Sequence, residues 1–330
     1  MKKYATYKPE LDAMAATCER HGIQQSDFLD RLEQLYRSEG IEYMDSRDAI
    51  THTCEHGYSR NGRNILFVED QATLDFLMSL KFQPPKNGAR IPFVHDSFSI
   101  AVPNGLSYDG IKIPPVLVYS GEQRLSSLSI DFYKSIEWER PFIPEHEIAS
   151  ADANCSEITV VIPTGQVQSI NTAKSVMCLN HNQLIKILDY DVDDVEAVDE
   201  ELGFNSLSEL TREEVKVQLI ALRLIVALSI YNNATDGQYL RDGVPFGLNN
   251  KPKHLGLLKN QMSQSCFQTI KRKTSTQQGE RVVEGFLRNL QHAKYYQGVH
   301  ANLEPKSRWV EVSGYITGEA KPQTQHSEKS

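Results

Sequence analysis

The chain is predicted to be an α+β protein, with amino-terminal helices, a central antiparallel sheet, one buried core helix and a carboxy-terminal β-hairpin module. Three observations predict this class. From Val215 to Tyr231 nearly every position is apolar, more than an amphipathic surface helix needs, so a helix buried on most sides is expected. Short β-prone runs separated by Pro and Gly lie at Phe93 to Val102, Ile113 to Tyr119, Leu125 to Tyr133 and Ile158 to Ile162. Apolar residues recur at three- and four-residue steps from Leu11 to Tyr36, broken near Gly22. The chain divides on this pattern into a helical region over 1–63, an α+β core over 64–240 holding a helix at 211–233, a basic and aromatic module over 241–319, and a polar tail over 320–330 expected to be disordered.

Residues 8 to 39 predict two helices joined by a short turn, the second capped by Ser26 with Asp27 and Asp30 on its positive end. Residues 45 to 63 are polar and predict an exposed loop. They carry His52, Cys54 and His56, but a closed zinc site needs four ligands and no partner pair is in view, so no metal is assigned. Asn64 to Val68 predicts a strand and Asp70 to Leu80 a helix with Leu74, Leu77 and Met78 inward. Pro84 to Gly88 breaks the chain. In the run that follows, Ser97, Ser99 and Ala101 alternate with Phe98, Ile100 and Val102, which predicts one buried face and one lined by small polar groups. Turns are expected at Pro103 to Gly105, Asp109-Gly110, Ser120-Gly121 and Pro163 to Gly165, and a surface loop at Glu137 to Glu157.

His181 to Leu188 predicts a short helix. Asp189 to Glu200 places acids like a calcium loop, but Asp194 stands where the sharp turn needs glycine and Glu196 where an apolar residue belongs, so it reads as an acidic solvated segment. Thr211 with Glu214 forms a capping-box pattern that starts the core helix, and Asn232-Asn233 should stop it. Lys216 and Arg223 interrupt that run, which falls short of the ~20 apolar residues of a bilayer crossing, so no membrane partner is expected. Acids therefore concentrate before the core helix and bases after it, from Lys251 through Lys271, Arg272 and Lys273 to Arg288.

At 330 residues with 40 % hydrophobic content the chain can bury a sizeable core. A net charge of −8 argues against a surface that tracks nucleic acid throughout, while leaving room for a local basic patch. Five scattered cysteines and an amino terminus without a signal region predict reduced thiols in a cytoplasm. The sequence lacks a phosphate-binding loop, a dinucleotide fingerprint, a nucleophile elbow and a zinc-protease helix, so no catalytic residue and no cofactor is assigned.

The residues that carry function are expected after the core helix. Phe286 to Gly298 and Arg308 to Gly318 both read as extended, with Tyr295 to Gly298 and Arg308 to Val312 as arms of a hairpin across Pro305 to Ser307. Aromatics interleaved with His292, Lys294, His300 and Arg308 suit stacking on a base, packing around a peptide, or an edge hairpin whose rings pack on the core.

Along this half the order is an apolar helix, Pro252-Lys253-His254, His292 leading Tyr295, Tyr296 and Gly298, then Arg308-Trp309 and a last apolar strand. Upstream stand the Pro-led run Pro92 to Ile100 and the segment Leu184 to Tyr190 with its following acids. Over roughly residues 64–318 this order resembles the family of phage and mobile-element proteins typified by the second type V-A anti-CRISPR inhibitor. The resemblance implies an inhibitor of a CRISPR effector nuclease that recognises the amino-terminal segment of the effector as it is made and brings about loss of its transcript. Together with the clustering of these residue types after the core helix, it implies polar contacts from Lys253, His254, His292 and Arg308, a stacking surface from Tyr295, Tyr296 and Trp309, and structural roles for Pro252 and Gly298, while Lys294 joins the same partner surface as a cation interleaved with the rings. Family members carry an arginine pair and a Gly-His-Trp where this chain has only Ala293 and Lys294 between His292 and the tyrosines. Two other functions fit the residues: an RNA-binding or RNA-cleaving protein using Lys253, Lys271, Arg272 and Lys273, and a structural or regulatory phage protein without a defence target.

Overall fold

The structure, a computed structural model, describes residues 4–22, 46–83, 85, 87–120, 158–163, 174–190, 212–243, 245, 264–267, 281–283, 285–313 and 315–317. The expected second helix, the strand at Leu125 to Tyr133, the acidic segment after Tyr190, Thr211 and the Pro252-Lys253-His254 element lie outside these residues.

The fold is α+β. The chain opens with β1 (Tyr4–Ala5), α1 (Glu10–His21) and α2 (Ser46–Arg60), followed by β2 (Asn64–Val68), α3 (Gln71–Ser79) and β3 (Phe82–Gln83). Then come β4 (Ser97–Pro103), the short pair β5 (Ser107–Tyr108) and β6 (Ile111–Lys112), and β7 (Val116–Ser120). Next are β8 (Ile158–Pro163), β9 (Lys174–Leu179), α4 (His181–Lys186) with a 3-10 turn after it, and α5 (Arg212–Ala234). The carboxy-terminal part supplies β10 (Leu240–Asp242), β11 (Gln264–Phe267), β12 (Arg281–Val283), β13 (Phe286–Asn289), β14 (Trp309–Val312) and β15 (Tyr315–Thr317).

Among the described residues one eight-stranded sheet runs β10-β11-β2-β4-β7-β8-β9, with β1 added against the end of β4. From β4 outward through β7, β8 and β9 the pairing is antiparallel, as expected. β2, which lies outside the expected antiparallel meander, joins the sheet by parallel pairing with β11 and with β4. The reason is α3: a helix between β2 and β4 carries the chain back to the edge where it started, which makes the two strands parallel neighbours. Its N-cap is Asp70, whose carboxylate accepts from the Thr73 amide at 2.9 Å. Strands from both sides of the expected boundaries at 63 and 241 share this sheet.

One sheet face is apolar. Leu66, Phe98, Ile100, Val118, Val160 and Ile162 join one buried cluster with α3, α4 and α5. Helix α5 is buried without interruption from Leu224 to Tyr231, as its all-apolar run predicts, and Phe76 of α3 meets Tyr231 edge-on at 5.0 Å. The other face carries Ser97, Ser99, Thr159 and Leu117 and is covered by α2, against which α1 packs. Residues 46–60, expected as an exposed loop, are therefore a helix on the sheet, with Thr51, Cys54 and Glu55 fully buried. No helix among the described residues is long and apolar enough to cross a membrane.

Candidate functional site

The strands β13 and β14 form an antiparallel hairpin in which Asn289 faces Trp309. Residues 290–308 connect them. Two single 3-10 turns, Ala293–Tyr295 and Gly298–His300, replace the extended arm expected at Tyr295 to Gly298. Gly298 sits at φ +60° with open space around it, a backbone shape that turns the chain where β-prone tyrosines alone would keep it straight. The connection is braced from within. The Tyr296 hydroxyl donates to the Leu290 carbonyl at 2.7 Å and accepts from the Arg308 amide at 3.1 Å. The Arg308 guanidinium donates to the Tyr295 carbonyl at 2.9 Å, and the Asn289 amide group donates to the Lys306 carbonyl at 2.8 Å. His292 accepts the Lys294 amide on Nδ1 at 3.1 Å and so caps the first turn.

These bonds divide the expected site residues by role. His292 and Lys294 are exposed, and the Lys294 ammonium lies 4.9 Å from the centre of the Tyr295 ring. Tyr295 and Tyr296 are half-buried, with the hydroxyl of Tyr296 committed to the connection's own backbone. Arg308 is half-buried and likewise holds the connection in shape. Trp309 corrects the expectation of a stacking surface: it is 1 % exposed, its indole N–H donates to the Arg90 carbonyl at 3.1 Å, and its amide donates to Asn233 Oδ1 at 2.9 Å. A ring sealed in the core between α5 and the segment before β4 cannot meet a partner. Pro252, Lys253 and His254 lie outside the described residues.

The connection also displays apolar side chains that the motif comparison missed. Val299 is 93 % exposed and Leu303 39 %, beside the exposed Lys294 and the half-buried His300. Three cations, Lys294, Lys306 and Arg308, stand here against the single acid Glu304 in a chain of net charge −8. The platform is thus locally positive and tipped with apolar groups. Glu304 and the bend 302–307 fold towards Arg90, with Glu304 Oε2 2.9 Å from Arg90 Nε.

A second cluster of reactive groups lies on the polar sheet face, away from the hairpin. Glu55, fully buried in α2, accepts from the Tyr7 hydroxyl at 2.8 Å and from the Glu10 amide at 2.9 Å. Glu10 in turn takes the Lys174 ammonium at 2.7 Å, with His52 Nε2 3.4 Å away. Arg63 forks onto Asp12, both bonds at 2.6 Å, and the Tyr58 hydroxyl shares a 2.9 Å bond with Ser99. Burial, reinforced by Glu55, drives the Tyr7 phenol well above its ordinary range, and burial pushes Tyr58 up to about 12. Both phenols therefore stay protonated donors, and the cluster ties the amino-terminal segment to the sheet. His52 and His56, which invited a metal reading, part ways: His52 meets Glu10, whereas burial and Arg60 lower the half-buried His56. The signal that would have revealed α2 is Ile50, Cys54 and Tyr58 at four-residue steps.

Compared with protein-family models, with curated proteins and with solved structures, the chain matches none of them.

Proposed function

We propose that the chain is an anti-defence protein of a phage or mobile element that acts in the host cytoplasm by binding. Its target in this reading is a type V-A CRISPR effector nuclease, met through its nascent amino-terminal segment, with loss of the effector's transcript as the consequence. The observation that carries a binding role is the braced connection 290–308, which holds Lys294, Val299 and Leu303 in the open while committing Tyr296, Arg308 and Trp309 to its own support. An ordered platform loses less entropy on association than a loop that must freeze first. The choice of target rests on the resemblance of the carboxy-terminal half to the anti-CRISPR family.

Co-expression of the chain with a type V-A effector tests this. Effector transcript and protein are expected to fall in the presence of the chain and to recover with a Val299→Asp, Leu303→Asp variant of unchanged melting temperature. Unaltered effector levels with the parent chain, together with no effector polypeptide retained by it, would remove the proposal. Retention of RNA that is released steeply with salt would put RNA in the effector's place.

A further inference from the structure

Beneath the connection, the bend 302–307 folds over the segment 87–96 and leaves a cleft of about 690 Å³, lined by Arg90, Phe93, Asp96, His181, Leu303 and Glu304 among others. That volume falls among those of sites for small ligands, ~300–1,000 Å³. Its walls are fixed. The Arg90 amide donates to the Lys306 carbonyl at 3.0 Å, the Arg90 carbonyl accepts from Trp309 at 3.1 Å, and His181 accepts the Ile91 amide on Nδ1 at 3.0 Å. Phe93 and the His181 ring lie 5.9 Å apart and give the cleft an aromatic side.

The charged groups are held less completely than the walls. Glu304 Oε2 approaches Arg90 Nε at 2.9 Å, but without the alignment of a hydrogen bond, and both side chains remain about half exposed, at 43 % for Arg90 and 65 % for Glu304. The two terminal nitrogens of Arg90 bond to no described residue, and neither does the carboxylate of Asp96. A planar guanidinium fork matches a carboxylate or a phosphate. Here one cation stands against the two acids Asp96 and Glu304, a balance that repels a phosphate dianion and admits a carboxylate travelling with its own ammonium.

The geometry points to a binding site for a zwitterionic, apolar ligand of amino-acid to short-peptide size. The ligand's carboxylate takes the Arg90 fork in place of Glu304, its ammonium meets Asp96 and the released Glu304, and its apolar side chain lies against Phe93 and Leu303. The site shares Leu303 with the partner platform above it, but its charged contacts Arg90 and Asp96 lie outside the connection 290–308, and neither Lys294 nor Val299 lines the cleft.

The test is calorimetric titration of the full chain with the dipeptide leucyl-phenylalanine, its amide, its N-acetyl form and AMP. Saturable binding of the free dipeptide is expected, weakened about tenfold by amidation or by acetylation, each of which removes one charged hydrogen-bonded contact. Arg90→Gln should weaken the dipeptide about tenfold and erase its advantage over the amide, and Asp96→Asn should erase its advantage over the N-acetyl form. Arg90→Lys, which keeps the charge but not the fork, should also lose most of the carboxylate preference and serves if Arg90→Gln is poorly folded. Absence of saturable binding by the dipeptide, equal binding of all three peptide forms, or tighter binding of AMP would each overturn the site.

Discussion

At Glu10, burial and charge pull in opposite directions. Burial alone would raise its pKa, but His52 and the Lys174 ammonium favour the carboxylate more strongly and hold it below the ordinary value of 4.5. A lowered folded-state value means that the ionised Glu10 stabilises the fold above the carboxylate range, and that this contribution is lost as pH falls through it. Lys174→Met leaves a buried carboxylate without its cation, so a loss of about 3–5 kcal/mol is expected at pH 7. In a Glu10→Gln background the same change should cost far less, and towards pH 4 the penalty of Lys174→Met alone should shrink as Glu10 takes up its proton. Urea unfolding midpoints of the four chains at two pH values check this, and a penalty that persists undiminished in the Glu10→Gln background would show that Lys174 acts through something else. Gly57 offers a second test. A Cβ at this position would run into the ring of Tyr119, so the ~1 kcal/mol that alanine gains over glycine inside a helix meets an overpacking cost of ~1–3 kcal/mol. Gly57→Ala should destabilise the parent chain and stabilise a Tyr119→Ala chain, with thermal melts reading the change of sign.

Among the elements, α5 was the most legible in the sequence and α2 the least, for a common reason. Apolar continuity identifies a helix whose surroundings are hydrophobic, as around Leu224 to Tyr231. It cannot identify one that buries His52 and Glu55 against Tyr7 and Glu10 of the amino-terminal segment, because those residue types more often mark solvent. The alternation of Ser97, Ser99 and Ala101 was readable, but not the helix that covers it. At the hairpin, the strand content of 309–312 is visible in the sequence, while the tyrosines at 295 and 296 favour a strand locally and the bonds of the connection leave the partner arm to Phe286–Asn289. Of the expected site, His292 and Lys294 remain available for contact, whereas Trp309 went to the core, where a large ring gains most from burial. Within α5, Ser229 makes a prediction specific to this helix. Its hydroxyl bonds back to the Ile225 carbonyl at 2.8 Å, a satisfied but replaceable arrangement in a fully buried position. Ser229→Ala should change stability by less than ~1 kcal/mol, while Ile225→Ala one turn away should cost ~2–5 kcal/mol through the cavity it leaves. Equal losses in chemical denaturation would mean that the hydroxyl contributes more than its local bond.

The whole molecule is asymmetric across its main sheet, and that asymmetry predicts where it opens. One face is sealed by the apolar cluster around α5. On the other, the amino-terminal segment is fastened by β1 on β4, by the Tyr4 ring edge-on to Phe67 at 5.3 Å, and by polar bonds from Tyr7, Glu10 and Asp12. Apolar burial is spread over many contacts, whereas the amino-terminal segment depends on a few polar and charged links, each of which can fail singly. Local opening should therefore begin with residues 4–22 and leave α5 closed. Cys54 reports this motion, since it is fully buried in a cluster with Tyr7 and Tyr58, while Cys178 is exposed. In the parent chain a thiol reagent should modify Cys178 quickly and Cys54 orders of magnitude more slowly, as read by peptide mass mapping. Arg63→Ala, which releases Asp12, and Tyr7→Phe, which frees Glu55 of its phenol, should each speed the modification of Cys54 while the amide protons of Leu224 to Tyr231 exchange at their parental rate. Should Cys54 instead become reactive only in step with exchange at α5, the amino-terminal segment and the core would open as one unit and the two faces of the sheet would share a single stability.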